Sequence, residues 1–316
     1  MKKIRRATAV FLLLLTFVFQ GAAAPREVVV GGDIIGIRME TDGVAIVEFT
    51  DQTPEKAGLC RGDILKKIDG RPVTTTEEVK TRVEQSGGEP MKLTVERGTR
   101  EKTVTLAPSP TEQGQRLGLL VRDQITGIGT VTFYDPGTGT FGALGHGING
   151  EEGLLPMKSG SILPTAVSSV QPGQAGKPGS LRGALQGRAP LGELSRNTDQ
   201  GIFGTMDAPE RERLPVAAPG TVHPGKAQIR ATAAGRQVQE YDVQIVEVYS
   251  GGEESRNLLL EVTDPELLAL TGGIVQGMSG SPILQDGKLV GAVTHVLIND
   301  PARGYGILIE NMLAAA

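Results

Sequence analysis

The stretch "VQGMSGSPILQDGKLVGAVTHV", residues 275–296, carries the strongest fold signal in the chain. "PILQ" and "KLVGAV" are two apolar-rich runs separated by Asp286-Gly287. An Asp-Gly pair between such runs predicts a two-residue hairpin, because both turn positions need positive φ. Just ahead of it, "GMSGS" sets Ser279 between glycines, where the backbone turns sharply and several amides can converge on one point. Ser279 is therefore either the serine of a tight turn or a nucleophile. Ser281 is a rival, but Pro282 beside it already begins the strand.

Composition narrows the background to that choice. The chain has 316 residues with Gly 44 and Pro 19, too many helix breakers for a helical protein and enough length for two domains. It has no Trp, so Val, Ile, Leu and Ala must build the cores. A net charge of −4 offers no attraction for nucleic acid. A single cysteine, Cys60, excludes an internal disulfide framework, and three histidines leave little room for a zinc site. No cofactor or metal is expected. Residues 1–24 begin with basic "MKKIRR", continue with apolar "ATAVFLLLLTFVFQ" and end in small residues, the pattern of a secretory signal. The apolar run falls short of the ~20 residues of a membrane span. Pro25 after Ala24 disfavours cleavage, so a retained membrane anchor is the alternative. Both imply export.

Residues 27–107 form a first block. "VVVGGDIIGIRME" and "GVAIVEF" read as strands, "TTTEEVKTRVEQS" as a helix capped by Thr75 or Thr76, and "MKLTVERGTREKTVTL" as a hairpin. Between them, Ala57-Gly58-Leu59, Gly62-Asp63 and Ile68 to Gly70 resemble the signature of bacterial PDZ domains. That resemblance implies capture of a peptide by strand addition at a glycine loop. It is matched here to Gly32–Ile37, with Ile35, Gly36 and Ile37 offering amides. The other reading is that these glycines only shape turns. Residues 108–116 are a Pro-containing linker. Residues 117–316 hold many short strands joined by Gly/Pro turns, the pattern of a barrel or sandwich.

A serine nucleophile needs a base, a group that orients the base, and donors for the oxyanion. His146, between Gly145 and Gly147 at the end of a strand, is the favoured base; His295 lies in a strand and His223 precedes a proline. Asp264 is an acid candidate, yet it also reads as the N-cap of "DPELLAL", with Pro265 at the first helical position.

The glycine–serine turn followed by a hairpin and "GAV" resembles the nucleophile region of trypsin-like serine proteases. By that resemblance Val293, Thr294 and His295 would line the substrate pocket. The longer run "GGIVQGMSGSPILQDGKLVGAVTHVLINDPARGYGILIENML", with "ALGHGI" upstream and a PDZ-like block before both, resembles the stage IV sporulation protein B peptidases of endospore-forming bacteria. This implies a mostly β chain, a PDZ domain followed by a trypsin-like double β-barrel. It implies His146 as base, Asp264 as acid and Ser279 as nucleophile, with Gly277 and Ser279 amides as oxyanion donors. It further implies a peptidase exported across the forespore membrane that cleaves a membrane-bound regulatory partner and itself, with the PDZ domain recognising both. Release of an intramembrane protease that processes the mother-cell sigma factor would follow. An exported quality-control protease and a non-catalytic PDZ scaffold are the alternatives; in the former group the PDZ domain follows the protease.

Overall fold

A computed structural model describes residues 26–151, 153–249 and 255–316. The signal or anchor segment, residues 1–24, lies outside them. The chain is mostly β, as its glycine-rich, valine-rich composition favours, and it makes two closed barrels with a PDZ unit between the first two strands of the first barrel.

The first barrel is a ring of six strands. Leu119–Asp135 pairs with Thr140–Ala143, which pairs with Gly201–Met206, then Gly192–Thr198, then Ser159–Gln171. Ser159–Gln171 pairs with Ile34–Phe49, and Ile34–Phe49 returns to Leu119–Asp135. Val29, Ile35, Ile37, Val131, Phe141, Ile162 and Ile202 fill the interior. The second barrel, Gly225–Ala231, Gln239–Val248, Leu258–Val262, Asp300–Leu308, Lys288–Leu297 and Pro282–Gln285, is also closed. Closure leaves no barrel edge to pair with another chain. A third cluster, including Val28, Val30, Phe133, Phe203, Leu284, Ala292 and Ile307, joins strands of both barrels to the C-terminal helix Ile309–Ala315.

The hairpin expected at Asp286-Gly287 is present. Both residues have positive φ, 51° and 71°, and Gln285 pairs with Lys288. The Thr76–Gln85 helix carries a full capping box between Thr75 and Glu78. The PDZ signature has a cause the sequence reading did not include. Asp63 is buried and accepts two hydrogen bonds from Arg97, at 2.6 and 2.8 Å, plus one from the Cys60 amide. A buried carboxylate held by a bidentate guanidinium closes the turn onto the last hairpin of the unit.

Two expectations about organisation are corrected. Residues 27–40 lie in the first block by sequence, yet they pair with Leu119–Asp135, Ser159–Gln171 and Arg213–Pro215, all strands of the peptidase region. The PDZ unit is thus inserted into the first barrel, and its core runs from Val44 to Leu117. Ile35, Gly36 and Ile37 consequently have strands on both sides: Thr165-side residues 162–164 on one, Gly127–Gly129 on the other. Their backbone is committed to the barrel, and no free edge remains there for a peptide.

Candidate active site

Ser279 sits in the loop Gly277–Ser281, held at every peptide plane. The Gln276 carbonyl accepts from the Leu181 amide at 2.8 Å. The Met278 amide donates to Val275, and the Met278 carbonyl accepts from Ser281. The Gly280 amide donates to Val293 at 2.8 Å. Among the described residues, the amides of Gly277 and Ser279 have no protein acceptor, whereas those of residues 276, 278, 280 and 281 all do. Free amides flanking a serine are what an oxyanion requires. Gly280 is irreplaceable in this turn: its φ is +94° and an added Cβ would lie 2.0 Å from the Thr130 carbonyl oxygen.

His146 and Ser279 face one cleft of about 510 Å³ between the barrels. His146 follows Leu144 and Gly145, both at positive φ (69° and 70°), a tight reversal that ends the strand Thr140–Ala143 and turns the imidazole inward. Its Nδ1 lies 2.9 Å from the Gly147 carbonyl. A carbonyl only accepts, so the proton sits on Nδ1 and the Nε2 lone pair is left for base work. Burial holds the His146 pKa below the ordinary imidazole value, and the Gly147 hydrogen bond opposes this only in part. The Ser279 hydroxyl donates to the Thr294 carbonyl at 2.8 Å. Among the described residues no hydrogen bond joins the Ser279 hydroxyl to His146.

The cleft walls are apolar, with Ile37, Ile125, Ile128, Leu144, Ile274 and Val275 among them, and among the described residues no Asp, Glu, Lys or Arg lines it. Thr294 and His295 line it as expected, together with Val296 and Ile298. Val293 does not: it is fully buried in the second barrel's core, and its backbone pairs with Gly280 and Ser281. A register shift between Val293 and His295 breaks the strand alternation there, so the two do not share a face. The His295 and His146 ring centroids are 5.1 Å apart. Burial first, then His146 and Arg256, lower the His295 pKa to about 4. Ser281 is fully buried, and His223 is exposed beside Asp286 and outside the cleft. Neither rival shares the site.

Asp264 is not brought to His146. Its carboxylate accepts from the amides of Glu266 and Leu267, both at 2.9 Å, and of Asp242 at 3.3 Å. It caps the helix Pro265–Thr271, which closes at Gly272 with φ 71°. Among the described residues, no carboxylate hydrogen-bonds the His146 ring. Three backbone donors fix the Asp264 carboxylate, and they account for why an Asp-Pro pair starts this helix. Asp264→Asn keeps an oxygen acceptor for the cap, so turnover is expected within about tenfold of wild type. Asp264→Ala should cost about 1 kcal/mol of stability in a denaturant melt. A fall of more than about a thousandfold in Asp264→Asn with an unchanged melt would restore this residue as the orienting acid.

An unpaired strand edge borders the PDZ unit away from Ile35–Ile37. Leu119–Arg122 pair with Ala45–Phe49, and no strand covers the other edge of residues 119–128 among the described residues. The Thr76–Gln85 helix flanks that edge; the Thr76 amide donates to Asp123, and Val79 and Val83 pack with Leu117, Leu119 and Val121. Leu117-Gly118-Leu119, with Gly118 at φ 74°, forms the glycine turn leading into this strand. "RLGLLV" at 116–121 offered the signal, a glycine between leucines entering an apolar strand; reading 108–116 as linker and 117 as a new domain hid it.

Two barrels, a cleft between them holding a histidine and a glycine-flanked serine, and an inserted PDZ unit fit a serine endopeptidase that carries a PDZ domain. The chain belongs to the SpoIVB peptidase S55 family, whose model matches residues 113–313, while a PDZ domain model matches residues 55–97. Among curated proteins, a putative serine protease HhoB of Synechocystis sp. is 36% identical over 77 residues, 24% of this chain and 18% of that protein. Serine protease HTRA1 of Xenopus laevis is 34% identical over 73 residues, 23% of this chain and 16% of that protein. The chain thus spans less than a fifth of either relative. The active form of the Rv3671c protease of M. tuberculosis aligns over 60% of this chain and 74% of its own, at 13% identity and TM-score 0.36.

Proposed function

We propose that this endopeptidase works by a His146–Ser279 pair. Nε2 of His146 takes the Ser279 hydroxyl proton as Oγ attacks a peptide carbonyl. The developing oxyanion is met by the Gly277 and Ser279 amides. Nε2–H then protonates the leaving amine as the C–N bond breaks, and a water activated by the same nitrogen hydrolyses the acyl-enzyme. The Gly147 carbonyl holds the tautomer, the office a carboxylate fills in many serine proteases. The uncharged cleft walls favour an aliphatic or small residue at the scissile position. No step requires a metal or cofactor.

The biological reading is cleavage of a membrane-bound regulatory partner, and of the chain itself, after export across the forespore membrane. Cleavage would release an intramembrane protease that processes the mother-cell sigma factor. The family membership over residues 113–313 is the observation that carries this. If residues 1–24 remain as an anchor, enzyme and target share one membrane, and raised effective concentration makes a weak PDZ contact sufficient. The PDZ contact itself is assigned to the edge at Leu119–Val121. Adding the substrate's extracytoplasmic peptide should slow amide exchange at 118–122, and unchanged exchange there would move recognition elsewhere. The role as a whole is tested with full-length chain and the membrane-anchored partner co-reconstituted in vesicles. A single cut on the extracytoplasmic side, followed by sigma-factor processing when the intramembrane protease is added, is expected. An uncut partner alongside self-cleavage would leave the peptidase but remove the partner.

A further inference from the structure

The nucleophile loop belongs to the second barrel, yet one residue of the first barrel holds its middle. Thr130, buried within the strand Leu119–Asp135, makes two contacts to it. Its hydroxyl donates to the Gly277 carbonyl at 2.9 Å, and its amide donates to the Ser279 carbonyl at 2.9 Å. Two positions on, the Thr132 hydroxyl donates to the Gly280 carbonyl at 2.8 Å.

Peptide planarity makes these contacts specific. The Gly277 N–H shares a plane with the Gln276 carbonyl, which the Leu181 amide fixes. The Ser279 N–H shares a plane with the Met278 carbonyl, which the Ser281 amide fixes. The plane between these two contains the Gly277 carbonyl and the Met278 N–H; the N–H end donates to the Val275 carbonyl at 3.1 Å, and the Thr130 hydroxyl is the side-chain donor that holds the carbonyl end. Gly277 has φ +99°, a region open to glycine, and glycine's freedom makes this plane the easiest of the series to rotate. Loosening this plane would let the spacing and tilt of the two planes on either side relax, so that their N–H groups converge less sharply.

We propose that Thr130 is a positioning residue for the reaction: its buried hydroxyl locks the 277–278 peptide plane and so keeps the Gly277 and Ser279 amides aimed at one oxygen. This rests on the oxyanion assignment made above. Oxyanion donors act in the transition state more than in the ground state, so their misalignment lowers kcat and leaves KM nearly unchanged.

The test uses the full-length chain. Thr130→Val preserves shape and the backbone amide while removing the hydroxyl. Its kcat should fall by roughly ten- to a hundredfold, less than outright loss of an oxyanion donor, with KM within about twofold. The rate of Ser279 labelling by a fluorophosphonate should fall in parallel. Thr130→Ser, which keeps the hydroxyl and loses a methyl, should return both rates to within about threefold of wild type. Wild-type kcat and labelling in Thr130→Val overturn the proposal, as does a Thr130→Ser variant as slow as Thr130→Val, which would assign the effect to packing. If Thr130→Val does not fold, Thr130→Ser against Thr130→Cys decides, because the thiol is a weak donor. A fast serine and a slow cysteine support the proposal; equal rates overturn it. Ser279→Ala is run beside them, so a fully active Ser279→Ala points to failure of the underlying reading.

Discussion

Ser279→Ala is expected to abolish cleavage, a fall of roughly 10⁴- to 10⁶-fold in kcat, while leaving the fold untouched. The structural cost of the change is small. The Ser279 side chain makes one hydrogen bond, to the Thr294 carbonyl, and the loop is held by backbone contacts that alanine keeps. Losing that bond should move the melt by about 1 kcal/mol or less. The loss of rate therefore reports chemistry. Cleavage and self-cleavage followed on one gel, with a melt of the same preparation, provide both quantities. Retained activity within about tenfold would make Ser279 the serine of a tight turn. The scissile chemistry would then belong to another nucleophile, whereas a wild-type chain that cleaves nothing would make the non-catalytic PDZ scaffold the leading reading. Gly277 and Ser279 retain unpartnered amides in either case, so the hole survives in the variant and accounts for residual rate.

The local signals in the sequence proved reliable where a local cause decides the structure. Asp286-Gly287 forms its turn because two positive φ values suit those residues and few others. Thr75 with Glu78, and Asp264 with Pro265, start helices because their side chains satisfy orphan amides. Pairing across the chain was another matter. "DIIGIRME" reads as a strand whichever sheet receives it, and nothing within it says that residues 124–130 and 159–164 will flank it. The PDZ glycine loop was consequently sought at Gly32–Ile37, and the edge at Leu117–Val121 was assigned to another domain. Asp264 shows the same limit at the site. Its spacing and its context fit a catalytic acid and a helix cap equally well, and only the three backbone donors around its carboxylate separate them. His146 and Ser279 lie in different barrels; the glycines around His146 already favoured it as base, and the family resemblance implied the same pair. The cleft places both on one surface.

His146→Ala should be nearly as severe as loss of the nucleophile, because the two act as a unit and either loss removes the same step. A fall of roughly 10⁴-fold or more in kcat is expected, with fluorophosphonate labelling of Ser279 suppressed as well. The wild-type pH profile carries an independent mark of this base. The reaction needs neutral His146, and burial lowers its pKa below 6.5. Activity should thus persist below the pH at which a solvent-exposed histidine would be half protonated. It should fall only as pH drops through the depressed value. His295, lowered to about 4, is neutral at any pH well above that value. The same shifts couple to stability with a definite sign. Between the unfolded imidazole value near 6.5 and the depressed folded values, the unfolded chain binds protons that the folded chain refuses, so acidification favours unfolding. Melts at pH 7 and pH 5 should show the loss, and His295→Gln should reduce it by removing one of the two contributing groups. An acid limb at or above 6.5 in kcat/KM would mean that the imidazole titrating in catalysis is solvated, and that His146, buried as it is here, is not the base.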